Sequence, residues 1–304
     1  MVDLAVVILA FNEEMHIGRA IESVHPFANE IFVIDSYSTD RTTEIAEAAG
    51  AIVLRNRFVN QSKQFEWALA NAPMSSTWIM RLDADEIVES DLAARIQEQL
   101  PLLSSDVVGV NLNRKHVFMG RWIRHGGRYP LVLLRIWRRG YGRIEQRWMD
   151  EHVIVWGGRT VAFEGGFSDI NLNDLTSFTN KHNNYATREA IDVLTRKYLL
   201  GPLDERLSPK SASKQAVLKR QNKERIYNRL PFWLGPLLYF TYRYTIQLGF
   251  LDGRPGLIYH LLQGFWYRFL VGAKIEEFEL RLNKCSSTDE RLAELERLTG
   301  YRIG

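Results

Sequence analysis

Hydrophobic runs and helical patterns alternate along the first 100 residues of the chain. Four short apolar segments rich in β-branched side chains have the composition of buried strands, namely 4–11, 30–35, 51–54 and 77–83. Apolar residues recur at helical spacing between and after them, over 12–24, 38–50, 61–71 and 91–100. This alternation predicts an α/β fold with a doubly wound, mostly parallel sheet and helices on both faces.

The pattern changes beyond residue 105. Strand-like segments separated by Gly and Arg continue to about residue 168, and helical periodicity returns near residue 174. Residues 196–229 carry ten Lys and Arg against three Asp and Glu, whereas residues 230–272 are aromatic and apolar, with Asp252 as their only acid. We therefore divide the chain into an α/β domain (1–195), a basic helical linker (196–229) and an aromatic, amphipathic helical region (230–304).

Polar residues cluster where the predicted strands end. Asn12 and Glu13 follow the first strand, Asp35 ends the second, and Asp83 and Asp85 come at the end of the fourth. Because the carboxyl ends of parallel strands meet at one edge of the sheet, where α/β proteins bind their ligands, we expect these clusters to face one crevice.

The triplet Asp83-Ala84-Asp85 predicts a divalent metal site. Residues i and i+2 of an extended segment face the same side, so both carboxylates can reach one ion. Such oxygen ligands suit Mg²⁺ or Mn²⁺, which also binds substrate phosphates. No glycine-rich dinucleotide fingerprint or P-loop follows the first strand, so a metal is the expected clamp for a diphosphate. The alternative is that the two carboxylates cap the following helix.

Four segments resemble, in this order and spacing, the family-two inverting glycosyltransferases with a GT-A fold: VVILAFNEE (6–14), VIDSYSTDRT (33–42), QSKQFEWAL (61–69) and WIMRLDADE (78–86). The resemblance implies a nucleotide pocket lined by Ala10, Asn12, Glu13 and Asp35, with Gln61 and Gln64 near its floor. It also implies that Asp83 lies near the ribose and phosphates and that Asp85 binds the metal.

The second half of the chain resembles the branch of this family that builds lipopolysaccharide core and exopolysaccharide. The corresponding segments are RHGGRYP (124–130), LLRIWRRG (133–140) and RWMDEHV (147–153). The last segment departs from the Val-His-Glu that is usual in the branch. An inverting transfer needs a base for the acceptor hydroxyl, and the resemblance favours Glu151, with Asp150 as the alternative. One of the two can instead pair with Arg143 or Arg147.

Other side chains are candidates for binding phosphate or metal. Arginines at four positions offer forked donors for phosphate, and they are Arg124, Arg128, Arg135 and Arg138. We assign Arg135 to the nucleotide-sugar site. His182 is a candidate third contact to the metal or the diphosphate, as a histidine is in some glycosyltransferases, and the alternative is a structural histidine.

The aromatic region 230–304 predicts contact with a membrane. Residues 230–251 are long enough to cross a bilayer but are interrupted by Pro231, Pro236 and Arg243, and 257–271 is too short. Interfacial or re-entrant helices on an anionic membrane surface are therefore expected. A homo-oligomer interface, or packing against the α/β domain, is the alternative. Nucleic-acid binding fits poorly, because the aromatic residues lie in apolar helical runs.

The combined expectation is a metal-dependent inverting glycosyltransferase that uses Mn²⁺ or Mg²⁺ and a nucleotide-diphosphate sugar, with UDP-sugar favoured by family habit. Its expected acceptor is a lipid-linked or lipopolysaccharide-type glycan at the inner face of the plasma membrane. A net charge of +3 excludes a general polyanion binder, and a single cysteine suits a reducing cytoplasm. The alternatives are a sugar nucleotidylyltransferase and a non-catalytic, membrane-recruited scaffold.

Overall fold

The computed structural model describes residues 1–145, 151–200 and 231–303. Its strands are β1 (Val2–Ala10), β2 (Ala28–Asp35), β3 (Ile52–Arg55), β4 (Trp78–Asp83), β5 (Glu86–Val88), β6 (Val107–Phe118), β7 (Arg121–Trp122), β8 (Leu131–Arg138), β9 (Gly142–Ile144), β10 (Val153–Val155) and β11 (Arg159–Ile170). Asp150, and the predicted basic linker from position 201 onward, lie outside the described residues.

The described helices are α1 (Ile17–Val24), α2 (Thr42–Ala48), α3 (Gln61–Asn71), α4 (Ser90–Gln99), α5 (Leu175–Tyr198), α6 (Leu234–Thr241), α7 (Gly253–Tyr259), α8 (Tyr267–Leu282) and α9 (Thr288–Thr299). Short 3-10 segments occur at Leu100–Leu102 and Gly249–Asp252, and π-helical segments at Tyr242–Ile246 and His260–Trp266.

A nine-stranded sheet forms the centre of the molecule, in the order β3-β2-β1-β4-β8-β6-β11-β5, with β7 paired to β6. The first four strands of this order are mutually parallel, which confirms the alternation predicted for the N-terminal half. Beyond them β8 runs antiparallel to both β4 and β6, whereas β11 is parallel to β6. The sheet is therefore mixed, although β4, β6 and β11 all end at the same edge.

Strand β1 is buried on both faces, and its alternate residues pack against different helices. Val6 and Ile8 belong to the hydrophobic cluster that includes the apolar faces of α1 and α4. Ala5 and Val7 belong to a second cluster, which includes Phe65 of α3. Because successive side chains of a strand point to opposite faces, a continuous apolar run is what such a two-sided position requires.

Two helices begin later than the sequence pattern indicates. The helix expected over 12–24 begins at Ile17, because Asn12 has a positive φ of 54° and the chain turns before the helix starts. The helix expected over 38–50 begins at Thr42, because the preceding residues form the turn after β2. In both loops, polar residues that a helix could accept form hydrogen bonds at the edge of the sheet instead.

The C-terminal helices pack partly against the α/β domain. Leu194 of α5 shares a hydrophobic cluster with Phe278 and Leu282 of α8, and Tyr259 packs with Phe118 of β6. These contacts agree with the alternative that one face of the region 230–304 packs against the α/β domain. Within the described ranges, no helix combines the length and the apolar character needed to cross a bilayer.

The central position of β1 makes a testable prediction about stability. Ile8 is fully buried, whereas Ile52 on the edge strand β3 is 47% exposed. We expect Ile8→Ala to lower the free energy of unfolding by about 3 kcal/mol, through lost burial and the cavity left behind. The matched variant Ile52→Ala should lower it by less than about 1 kcal/mol. Urea denaturation measures both, and equal losses would contradict the two-sided burial of β1.

Candidate active site

Carboxylates from separate strands meet at the carboxyl edge of the sheet. β4 ends at Asp83, and the chain turns through Asp85 into Glu86 at the start of β5. Asp169 of β11 lies opposite Glu86 on one side and opposite His116 of β6 on the other. Side chains that are far apart in the sequence thus form one cluster, and Asp169 and His116 were not among the predicted site residues.

Asp83 is held by arginines. Arg81 Nε donates to Asp83 Oδ1 at 3.3 Å, and Arg135 Nη2 lies 3.5 Å from Oδ2. Burial alone would raise the pKa of Asp83, but the positive charges, with Arg81 the largest, outweigh it and hold that pKa well below its usual value. Asp83 is therefore ionised, and the structure places the predicted Arg135 beside it.

Asp85 has a different environment. Its Oδ2 accepts a hydrogen bond from Asn171 Nδ2 at 3.0 Å and lies 3.7 Å from Lys181 Nζ. Burial raises the pKa of Asp85, the negative charges of Asp169 and Asp83 raise it further, and Lys181 opposes the change only in part. Of the two predicted metal ligands, Asp85 is thus the one whose negative charge is less well compensated.

Glu86 fixes the turn between the two aspartates. This fully buried side chain accepts a hydrogen bond from the Asp83 amide at 2.9 Å and another from Arg135 Nη2 at 2.7 Å. Burial raises the pKa of Glu86 to about 8, against the opposing charge of Arg135. Its two contacts join β4 to β8 and set the position of Asp83.

Asp169 is paired with Arg114 and His116, two residues of β6. Arg114 Nη2 donates to Asp169, and His116 Nδ1 lies 2.7 Å from Asp169 Oδ2. Burial would raise the pKa of Asp169, but Arg114 and then His116 hold it well below its usual value. Burial also lowers the pKa of His116. The sequence signal available was the i, i+2 spacing of Arg114 and His116 at the end of a predicted strand.

The loops after β1 and β2 are locked together by hydrogen bonds. The Asn12 amide donates to Ser38 Oγ at 2.9 Å, and Asn12 Oδ1 accepts from the Thr39 amide at 2.8 Å. Asp35 is fully buried, and its two carboxylate oxygens accept from the Ser38 amide at 3.1 and 3.2 Å. Ala10 lies beside Asp35 in the strand register. The structure therefore brings these three predicted residues to one edge.

Glu13 and the two glutamines surround this edge. Glu13 Oε2 lies 2.6 Å from His16 Nδ1, and the other ring nitrogen of His16 accepts from the Leu172 amide at 2.9 Å. Gln64 is buried, donates to Ser36 Oγ at 3.1 Å and accepts from Asn56 Nδ2 at 2.8 Å. Gln61 is the first residue of α3 and is half-buried. Glu13 thus connects the first loop to the segment that follows β11.

The remaining predicted residues are placed differently. Burial would lower the pKa of Arg81, but the negative charges of Asp83 and then Glu151 raise it, so Glu151 lies near Arg81. His182 stacks on Phe178 with ring centroids 3.9 Å apart, and its Nδ1 lies 2.8 Å from the Phe178 carbonyl oxygen. Arg138 donates to the Val107 carbonyl and stacks on Trp78, at the opposite end of β4. Arg138 therefore lies away from the acidic edge, and its phosphate role stays a prediction.

The acidic edge fits a divalent cation in its chemistry. Oxygen ligands such as the carboxylates of Asp83 and Asp85 suit Mg²⁺ and Mn²⁺. A cation beside Asp85 would favour its ionised form, against burial and the negative charges of Asp169 and Asp83 that raise its pKa. Across the ranges 1–145, 151–200 and 231–303, no group of three or more His, Cys, Asp and Glu side chains is arranged to hold a metal. His182 is thus not gathered with the two aspartates, and its neighbour Lys181 is the α5 residue that approaches Asp85.

Known proteins resemble this chain in sequence. An uncharacterised glycosyltransferase of Rickettsia bellii (strain RML369-C) is 38% identical over 90 residues, which is 30% of each protein. The chain thus spans about a third of the length of that relative. The lipopolysaccharide core biosynthesis glycosyltransferase LpsC of Rhizobium meliloti (strain 1021) is 28% identical over 193 residues, or 62% of this chain and 70% of LpsC. The similarity to LpsC confirms the predicted resemblance to the lipopolysaccharide-core branch.

A solved structure of glucosyl-3-phosphoglycerate synthase from Mycobacterium tuberculosis, in complex with UDP, is 27% identical and aligns with a TM-score of 0.31 over 39% of this chain and 45% of that one. The model of the family described as Glycosyl transferase family 2 matches residues 5–170, from β1 to the end of β11. The fold class predicted from the sequence is confirmed. This match takes in all the strands of the sheet and more than half of the protein, and the chain therefore belongs to glycosyl transferase family 2.

Proposed function

We propose that this protein transfers a sugar, with inversion, from a nucleotide-diphosphate sugar to a lipid-linked or lipopolysaccharide-type glycan at the inner face of the plasma membrane. The observation that carries the proposal is the pair Asp83 and Asp85, which share one turn but have opposite electrostatic environments. The similarity to LpsC over 62% of this chain supports a lipopolysaccharide-type acceptor. UDP-sugar is the favoured donor.

The nucleotide is proposed to bind at the carboxyl ends of β1 and β2. Asp35 is a buried carboxylate whose oxygens can accept hydrogen bonds from a base imide or from ribose hydroxyls. The loop pair joined through Asn12 and Ser38 holds this carboxylate in place before any ligand binds. Such preorganisation lowers the entropy lost when the donor is ordered. Glu13, Gln61 and Gln64 complete the proposed pocket.

Mn²⁺ or Mg²⁺ is proposed to bind at Asp85, with Asp83 beside the ribose and phosphates. When bound, the cation supplies positive charge to the departing diphosphate. Arg135 and Arg81 keep Asp83 ionised and in position, and Lys181 adds a second positive charge at the same edge. His182 is retained as a diphosphate contact only in a rearranged state, because here its ring is stacked on Phe178.

Glu151 is the proposed base. Its charge acts on Arg81, which in turn contacts Asp83, so Glu151 lies at the donor end of the site. There it would take the proton of the acceptor hydroxyl as that oxygen attacks the anomeric carbon. Asp150 is the alternative base, and it lies outside the described residues.

The region 230–304 is proposed to hold the enzyme at an anionic membrane, with the basic segment 196–229 as its linker to the catalytic domain 1–195. Large apolar side chains are exposed on residues 231–261, and they include Trp233, Leu238, Tyr242, Ile246, Phe250 and Leu251. We call these the apolar surface. Asp252, the only acid of 230–272, is buried, so no acidic side chain of this stretch opposes an anionic membrane.

Substitution of the two aspartates should separate their roles. The low pKa of Asp83 means that its ionised form stabilises the fold above its ordinary pKa of 3.8, and that this contribution is lost as the pH falls. The raised pKa of Asp85 means that its ionised form destabilises the fold above that pH. At pH 7 we expect Asp83→Asn to lower the free energy of unfolding by about 3 kcal/mol.

The matched variant Asp85→Asn should change that free energy by less than about 0.5 kcal/mol or increase it. Both variants should lose metal-dependent hydrolysis of the donor, by about 100-fold or more. Urea denaturation and an assay of nucleotide release with and without Mn²⁺ test the two claims. Equal destabilisation by the two substitutions would show that the proposed asymmetry is wrong.

Glu151→Gln should abolish catalysis without abolishing donor binding. Loss of a general base lowers the rate of transfer by about 10² to 10⁴-fold, while the dissociation constant for UDP should stay the same. The control Glu164→Gln removes a carboxylate whose side chain is 89% exposed on β11, and it should leave both quantities unchanged. Unaltered transfer in Glu151→Gln together with a loss in Asp150→Asn would move the base to Asp150. Retained biological effect in catalytically dead variants would indicate a scaffold.

The apolar surface should govern membrane binding. Leu238 and Ile246 are 51% and 72% exposed, and replacing both with Ser removes apolar area, so binding to phosphatidylglycerol vesicles should weaken about tenfold or more. The control Leu280→Ser changes an equally apolar residue of α8 that is 69% exposed, and it should bind normally. Vesicle sedimentation measures this. Unchanged binding, with a change in oligomeric state by light scattering, would assign the surface to a second copy.

A further inference from the structure

Three arginines from different segments converge on two tyrosines next to the apolar surface. Arg243, in the π-helical segment after α6, has its Cζ 5.3 Å from the ring centroid of Tyr239 and 5.9 Å from that of Tyr259. Arg268 of α8 lies 4.1 Å from the Tyr239 ring, and Arg128, in the loop before β8, lies 5.4 Å from the Tyr259 ring. We call these three residues the arginine cluster.

The centre of the cluster is buried and its hydrogen bonds are incomplete. Arg243 is 2% exposed; its Nε donates to the Gly126 carbonyl at 2.7 Å, while its Nη2 is buried without a hydrogen-bond partner among the described residues. The Nε of Arg128 is also buried without a hydrogen-bond partner among the described residues, and so are both ring nitrogens of the fully buried His260. Buried donors without acceptors cost free energy, so this arrangement calls for an acceptor from outside.

Two of the three arginines lack a carboxylate partner among the described residues. The acid Asp252 contacts His125 and His260 there, and not Arg128 or Arg243. The nearby acid is Asp252, and its carboxylate already accepts from the His125 amide at 2.9 Å and lies 2.7 Å from His125 Nδ1. Burial would raise the pKa of Tyr239, but the arginines, Arg268 first, lower it to about 8. The positive charges of the arginines thus make the Tyr239 phenol more acidic.

The loop 124–130 is pressed against the C-terminal helices and shapes the site. Gly126 and Gly127 have positive φ of 65° and 66°, and the Gly126 amide donates to the Gln247 carbonyl at 2.8 Å. A Cβ at Gly126 would lie 2.2 Å from the His260 ring, so only glycine allows this approach. The loop thereby brings Arg128 to Arg243, and the site is formed before any ligand arrives.

The arginine cluster lies between the acidic edge and the apolar surface. The Tyr259 ring, which contacts Arg128, also packs 4.7 Å from the His116 ring, and His116 is bonded to Asp169. On the other side, Tyr242, 50% exposed on the apolar surface, directly precedes Arg243 in the chain. A ligand held here would place its anionic group between a lipid phase and the sugar-transfer site.

We propose that Arg128, Arg243 and Arg268 bind a phosphate group at the lipid end of the acceptor. This inference rests on the proposed function and deepens it, since it names the acceptor as a glycan or hydroxyl compound joined to a lipid through phosphate. Guanidinium forks match phosphate oxygens in geometry and charge. A phosphate would accept from the buried Arg243 and Arg128 nitrogens that lack partners, and its lipid chain would lie along the apolar surface.

Vesicles of defined charge test the proposal with the full-length protein. Binding to phosphatidylcholine vesicles that contain phosphatidic acid, a phosphate monoester, is compared for Arg128→Gln and Arg268→Gln. We expect each to weaken binding about tenfold, as loss of a charged hydrogen bond does. The control Arg254→Gln removes an equal charge from an exposed residue of α7 and should bind within about threefold of wild type. Far-ultraviolet circular dichroism and the melting temperature of each variant, compared with those of the wild type, show that the variants fold.

Three results would overturn the lipid-phosphate assignment. They are equal weakening by Arg254→Gln, unchanged binding in both cluster variants, and thermal protection by inorganic phosphate as large as that by phosphatidic acid vesicles, which would identify a free phosphate as the ligand. Failure of the proposed function gives a different result. In that case the wild type would hydrolyse no nucleotide sugar, yet its binding to phosphatidic acid would still depend on Arg128 and support the phosphate site.

Discussion

The contact between Asp83 and its arginines is the interaction on which the carboxyl edge of the sheet depends. Arg81 comes from β4 itself and Arg135 from the antiparallel strand β8, so the carboxylate ties two strands of opposite direction at one point. Glu86 accepts from the same Arg135 and closes the turn. Because the two arginines outweigh the effect of burial, Asp83 stays ionised. Lys181 offsets the charge of Asp85, two residues later, only in part, so an added cation is favoured beside Asp85.

The strands and helices of the N-terminal half could be predicted from the sequence, because each is marked by a pattern of neighbouring residues. β1 to β4 lie within two residues of the apolar segments that predicted them, and α3 occupies the 61–71 that its periodicity indicates. The parallel order follows from the alternation of strand and helix, and it alone brings Asp35 and Asp83 to one edge. The predicted starts of α1 and α2 were too early, because the polar residues before them form contacts between loops and do not enter the helices. Residues 12–16 carry side chains that a helix can accept, but Asn12 forms hydrogen bonds with the loop after β2 instead.

The other half of the site depends on contacts that no local pattern specifies. Asp169 becomes part of the edge only because β11 pairs with β6 in parallel, a crossover that the alternating first half does not imply. β11 also lacks a clean pattern, since Gly165 has a φ of +93° where the backbone passes close to Leu92 of α4. His182 was a candidate contact because a histidine has that role in some glycosyltransferases, but its ring stacks on Phe178, as the structural alternative expects. Its neighbour Lys181 approaches Asp85 instead, because the rotation of α5 about its axis turns position 181 toward the acidic edge.

Contacts between neighbouring residues connect the acidic edge to the arginine cluster, and the arginine cluster to the apolar surface. The acidic edge around Asp85 favours a cation, the arginine cluster favours an anion, and His116 and Tyr259 lie between them as a layer of rings. Burial lowers the pKa of His116 and keeps its ring neutral, so this layer separates the two fields without adding a charge to either. The proposed transfer from a charged donor to a membrane-bound acceptor requires two anionic groups to lie near each other without repelling. Binding one through a cation on carboxylates and the other through guanidinium groups, with a neutral ring layer between, would meet that requirement by geometry.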